Sequence, residues 1–161
     1  MEELDFKGLL GHFARLGFQR EEQVILGHFG TVQTLLSLIF GKPVHVRLKT
    51  QGEENGEINR VVELVCGETI VCFASTRIPV LKNSPEVLQE ISDGALGLGQ
   101  IVRKLEIPNR RNLMTVGRDH RSFWRTYSIE GPNLFLKISE GFPRPPFEEI
   151  GWTKKEEATH G

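Results

Sequence analysis

The sequence predicts an α+β fold, a six-stranded and mostly antiparallel sheet with helices packed over one face. Six segments carry strand periodicity, and most are joined by links too short for a crossover helix. Helical periodicity is confined to the first forty residues and to the middle of the chain, so helices and strands are segregated. The 161 residues, with no internal repeat or interdomain linker, fit a single domain spanning 1–161.

Taken in order, residues 5–16 form an amphipathic helix through Phe6, Leu9, Leu10, Phe13 and Leu16. Residues 20–40 are helical, interrupted near Gly27 to Gly30, and Thr31 is placed to cap the second half. Gly41-Lys42-Pro43 ends that helix, and Val44, Val46 and Leu48 alternate as a strand. Residues 50–57 are polar and predict a loop. Strands follow over 58–66 and 69–78, turned at Gly67-Glu68 and stopped by Pro79. Ser84-Pro85 opens a helix with a serine cap and proline in its first turn, and a second short helix covers 96–104. Strands over 112–117, 122–129 and 133–140 complete the sheet, the last two joined by Glu130-Gly131-Pro132. The strand breaks at Gly141, and residues 148–161 read as a loosely ordered tail.

Twenty basic against 21 acidic residues give a net charge of -1, with no basic footprint for nucleic acid or an anionic membrane. No apolar run reaches membrane-spanning length, and the acidic start differs from a signal peptide, so a cytoplasmic protein is expected. Cys66 and Cys72 suit buried small hydrophobes in a hairpin, and the five histidines show no metal spacing. Neither a metal nor a cofactor is expected.

Two charged residues stand on apolar strand faces. In the last strand Leu134, Leu136, Ile138 and Glu140 share one face, against Phe135, Lys137 and Ser139 on the other. In the strand after the acidic loop, Arg60 shares a face with Ile58, Val62, Leu64 and Cys66, while Glu63 lies opposite. A buried guanidinium is costly unless paired, and its planar fork matches a carboxylate. That carboxylate is either a protein one, such as Glu140, or a ligand's. Alternatively, an edge strand would let Arg60 reach water. Val116-Gly117-Arg118-Asp119-His120 reads as a solvated turn more readily than as a catalytic cluster. The glycines of 94–99 lack the spacing of a phosphate loop, but the helix starts near Thr31–Val32 and Leu98–Gly99 offer free amides to an anion.

From about Gly30 to Phe147 the chain resembles the chorismate pyruvate-lyase family. The shared features are Gly-Lys-Pro-Val at 41–44, Arg60 in a strand ended by Gly67-Glu68, and the strand closed by Pro79. Leu98-Gly99, Gly117-Arg118-Asp119 before Trp124, and Glu140 before Phe142-Pro143 complete the set. Some members carry a basic residue near the position of Ser75, which Arg77 could replace only in a different register. The resemblance implies an antiparallel sheet with covering helices and a small enclosed cavity, a fold related to the ligand-sensing domain of certain bacterial transcription regulators. It also implies cofactor-free conversion of chorismate to 4-hydroxybenzoate and pyruvate. Carried over by position, Arg60 and the backbone amides near Val32 and Leu98, with Thr31 and Gly99 beside them, hold the ring carboxylate. Glu140 lies near the ether or hydroxyl oxygen. The expected partner is a small carboxylate, with no nucleic acid, no membrane and no oligomeric state assigned. The alternative is a protein of the same fold that binds an aromatic or sugar acid without reacting it.

Overall fold

A computed structural model describes residues 6–156 of the chain. Its centre is one six-stranded antiparallel sheet in the order β1-β2-β3-β6-β5-β4. The strands are β1 (Val44–Glu54), β2 (Glu57–Cys66), β3 (Thr69–Pro79), β4 (Arg110–Arg118), β5 (Ser122–Gly131) and β6 (Leu134–Pro143). Two three-stranded meanders, β1-β2-β3 and β4-β5-β6, meet along the β3–β6 pair. The helices are α1 (Phe6–Arg15), α2 (Arg20–Leu26), α3 (Val32–Phe40), α4 (Pro85–Asp93), α5 (Leu98–Lys104) and α6 (Arg144–Glu149), with a 3-10 turn at Val80–Lys82. The α+β class and the six strands follow the expectation. No helix among the described residues is long and apolar enough to cross a membrane.

Local chemistry explains most boundaries. Ser84 caps α4, its side chain accepting the Val87 N–H, and Pro85 occupies the first helical position, where its missing N–H costs nothing. Thr31 is the cap residue of α3, but its side chain makes no capping hydrogen bond.

Five points differ from the sequence reading. The polar segment 50–57 is not a loop: β1 runs to Glu54 and turns at Asn55-Gly56. Both residues have positive φ, 54° and 76°, the conformation that a two-residue hairpin turn requires. Strand β4 begins at Arg110 rather than 112. Strand β6 continues through Gly141 to Pro143, because Ser122 and Phe123 of β5 still pair with Pro143 and Phe142. The prolines after Pro143 then open helix α6 instead of breaking the chain, since proline suits a first helical turn. Residues past 148, expected to be loose, pack back as far as Glu156. Thr153 is buried, Trp152 packs on the core, and the Lys154 N–H donates to Gln19. Residues 157–161 lie outside the described residues.

The helices lie in two groups, and each group builds its own core. Helices α1, α2, α3 and α6 bury Phe13, Leu26, Leu36 and Phe147 against Val71, Phe123 and Phe142. Helices α4 and α5 bury Val87, Ile91, Ile101 and Val102 against Ile78, Ile129, Leu136 and Ile138. The starts of α3 and α5 approach each other over the sheet between the two cores.

Candidate functional site

Between those cores is a pocket floored by the sheet and roofed by Gly30–Gln33 and Gly97–Gln100. Its apolar floor is Val46, Val62, Leu64, Ala74 and Ile138, and its charged side chains are Arg60, Arg111 and Glu140. The space measures about 70 Å³, against the ~10–15 Å³ that one water needs. That size suits one small molecule.

Sheet register brings Arg60 and Glu140 to one face. Arg60 on β2 pairs with Thr76 on β3, which pairs with Ile138 on β6, two residues from Glu140. A step of two residues along a strand returns to the same face. Both side chains are therefore inward, 2% and 3% exposed. Arg60 lies on an interior strand, so the edge-strand route to water does not apply. Ser75 and Arg77 face outward, and Arg77 pairs with Glu57 there at 3.6 Å.

Arg60 and Glu140 are not paired with each other. The partner of Glu140 is Arg125 on β5, directly opposite it in the register, with Arg125 Nε donating to Glu140 Oε1 at 2.7 Å. Arg125 is itself buried, and its Nη1 donates to the carbonyls of Leu26 at 3.0 Å and of Ile25 and His28. Those carbonyls belong to the C-terminal end of α2 and the turn after it, where a cation is favoured. The guanidinium also stands 4.5 Å from the centroid of the Tyr127 ring. Burial works against the Arg125 charge, but Glu140 and then Tyr127 outweigh it and the pKa is raised. The Tyr127 hydroxyl donates to Glu140 Oε2 at 3.4 Å, and burial, then the Glu140 charge, push the phenol's pKa up. Glu140 is thus a carboxylate held from two sides.

Arg60 has no comparable partner. Nη2 donates to the Leu96 carbonyl at 2.8 Å, and Nη1 is buried with no hydrogen-bond partner among the described residues. Burial lowers its pKa, and no carboxylate of the described residues lies within ion-pair distance to reverse that. The helix starts flank it. The amides of Val32 and Leu98 are at first helical positions and lack intrahelical acceptors. Gln100 Oε1 accepts the Gly97 N–H at 2.9 Å, which fixes the entry to α5. Thr31, Val32, Leu98 and Gly99 all line the pocket.

Three further residues belong to the site without being evident as site residues in the sequence. Arg125 and Tyr127 were visible in principle, since Phe123, Arg125, Tyr127 and Ile129 alternate on one face. Arg111 was hidden by a strand start placed two residues late. It reaches the pocket from β4, and its Nη1 donates to the Gly30 carbonyl at 3.0 Å. His28 adjoins this rim. Burial, then Arg125 and Arg111, lower its pKa, so it is neutral at pH 7.

The Gly117-Arg118-Asp119 segment belongs elsewhere. Asp119 closes the β4–β5 turn by accepting from the Arg121 and Ser122 amides, each at 2.8 Å. Arg118 pairs with Glu156 and lies 3.7 Å from Glu22. Glu22 and Arg144, both fully buried, form an ion pair at 2.6 Å, and Arg144 Nε donates to the Asp119 carbonyl. His120 is exposed. These groups tie α2, the β4–β5 turn, α6 and the residues after it together, and none of them lines the pocket.

No model of a known protein family matches the chain, and no curated protein matches it.

Proposed function

We propose that the protein is a chorismate pyruvate-lyase-like enzyme with an enclosed small-ligand cavity, releasing 4-hydroxybenzoate and pyruvate from chorismate without a cofactor. The observation that carries this reading is one small pocket gathering Arg60, Glu140 and the starts of α3 and α5. The ring carboxylate meets the unpartnered Nη1 of Arg60 and the amides of Val32 and Leu98, contacts that are charge-assisted. Val62, Leu64, Ala74 and Ile138 hold the ring. Glu140 accepts the hydrogen bond of the ring hydroxyl, with Arg125 and Tyr127 fixing its direction.

The reaction asks little more than orientation. The ring carbon bearing the hydroxyl loses its proton, the neighbouring carbon–oxygen bond breaks, and the ring becomes aromatic with its hydroxyl retained. Enolpyruvate leaves with the ether oxygen, takes up a proton and becomes pyruvate, so atoms and charge balance. Glu140, beside the hydroxyl-bearing carbon, is the group within reach of the departing proton.

A second reading, binding of an aromatic or sugar acid without turnover, has one observation in its favour. Glu140 is already neutralised by Arg125, and a carboxylate so held recognises a hydroxyl without moving a proton. Incubation with chorismate, following pyruvate, separates the two. Pyruvate release that disappears in Arg60→Gln and Glu140→Gln supports the lyase. Folded protein that gives no pyruvate above the spontaneous rate, yet is thermally stabilised by 4-hydroxybenzoate, supports the binding protein.

A further inference from the structure

Two guanidiniums face the pocket, and neither has a carboxylate partner among the described residues. Arg60 uses one N–H on the Leu96 carbonyl, before α5, and Arg111 uses one on the Gly30 carbonyl, before α3. Among the described residues Glu140 is the only acid of the lining, and Arg125 behind it cancels its charge. Three arginines against one glutamate leave an excess of two positive charges around a small space. A monocarboxylate compensates half of that excess. Uncompensated charge in a partly buried site is costly, so the site favours a ligand that brings two negative charges.

The strand order separates the two cations. Arg60 lies on β2 and Arg111 on β4, and each strand is two places from β6, which carries Glu140, on opposite sides. With neighbouring strands about 4.8 Å apart, the two arginines enter the pocket from opposite sides of β6, Arg60 level with Ile138 and Arg111 level with Leu136. The Arg111 flank is also open at the backbone. A Cβ built on Gly99 would lie 3.7 Å from Thr31 Oγ1 and 3.8 Å from Arg111 Nη2, so glycine, hydroxyl and guanidinium converge there.

We infer that the pocket takes a dianion, and that Arg111 is the specificity-determining residue that holds its second acidic group, on the opposite flank of the pocket from Arg60. The inference rests on the proposed reading only in assigning the ring carboxylate to Arg60. For chorismate the second group is the carboxylate of the departing enolpyruvyl unit, so Arg111 would orient the leaving group.

The test compares calorimetric binding of 4-hydroxybenzoate with that of its carboxymethoxy ether analogue, a stable diacid bearing the second carboxylate beside the hydroxyl. Wild-type protein should bind the diacid at least about tenfold more tightly, the scale of one charge-assisted contact. Arg111→Gln should remove that preference and leave 4-hydroxybenzoate affinity within about twofold, whereas Arg60→Gln weakens both ligands. Arg111→Lys, which keeps the charge, should retain part of the preference, and thermal unfolding checks that each variant folds. A diacid that binds wild type no better than the monoacid overturns the inference. So does an Arg111→Gln variant that weakens both ligands equally, because Arg111 then serves only to hold the Gly30 loop. Pyruvate release from chorismate is read separately. Diacid preference without pyruvate sinks the lyase reading alone, and turnover with no diacid preference sinks this inference alone.

Discussion

Glu140 cannot be removed cleanly, because Arg125 is buried beside it with its charge intact. Truncation by Glu140→Ala leaves that charge unpaired and is expected to cost roughly 3–5 kcal/mol. Glu140→Gln keeps an acceptor for Arg125 Nε at 2.7 Å and should cost less, which makes it the better variant for activity. Urea unfolding of the two variants checks the order. An equal, small loss in both would show that the pair contributes nothing beyond an exposed one. Arg60 presents the opposite case. Its Nη1 already lacks a partner, so Arg60→Gln removes a buried charge instead of stranding one.

At the scale of an element, the β5–β6 hairpin depends on a close backbone approach. A Cβ on Gly131 would come within 2.3 Å of the Pro108 carbonyl oxygen, a backbone atom with no rotamer to yield. Gly131→Ala is therefore expected to destabilise by about 1–3 kcal/mol, the usual range for overpacking. Thermal denaturation measures it, and a neutral substitution would mean that the loop before β4 shifts freely. The two hairpins also show where local sequence was legible. Gly67-Glu68 is legible as a turn, and the structure has one there. At Asn55-Gly56 polar flanks mask a turn signal that the positive-φ geometry makes explicit. Helix α6 was missed for a related reason: three prolines look like a break, yet two of them occupy the first helical turn, where no N–H is required.

For the molecule as a whole, alkaline pH should act through two buried neutral acids. Burial raises the pKa of Cys72, and of Tyr127, above their ordinary values, with the Glu140 charge adding to both. A folded pKa above the unfolded one stabilises fully below the unfolded value, and that stabilisation is lost as pH rises through the folded value. With unfolded values near 8.5 for a thiol and 10 for a phenol, these groups should leave stability flat at neutral pH and lower it progressively in alkali. Tyr127 is the only tyrosine in the chain, so the alkaline absorbance titration of the folded protein reads a single phenol. Its midpoint should lie clearly above that of the unfolded chain, and the alkaline slope of stability should shrink in Tyr127→Phe. Coincident folded and unfolded midpoints would contradict the buried site. Distant parts of the chain meet only at this scale. The two helical groups form separate cores, and the pocket exists because their leading ends stop short of each other over the sheet.

The sequence by itself determined the α+β class, most elements, and the inward placement of Arg60 and Glu140. Period-two alternation is local, and a strand assigned to a core needs no knowledge of its neighbours. Only the tertiary structure decided what those charges meet. The partner of Glu140 is set by which strand lies beside β6 and in what register, and that strand is β5, bringing Arg125, while β2 with Arg60 lies two places away. The same strand order brings Arg111 from the far edge to the pocket and separates it from Arg60. Pairing across strands is a property of topology, which no periodicity within a single segment encodes.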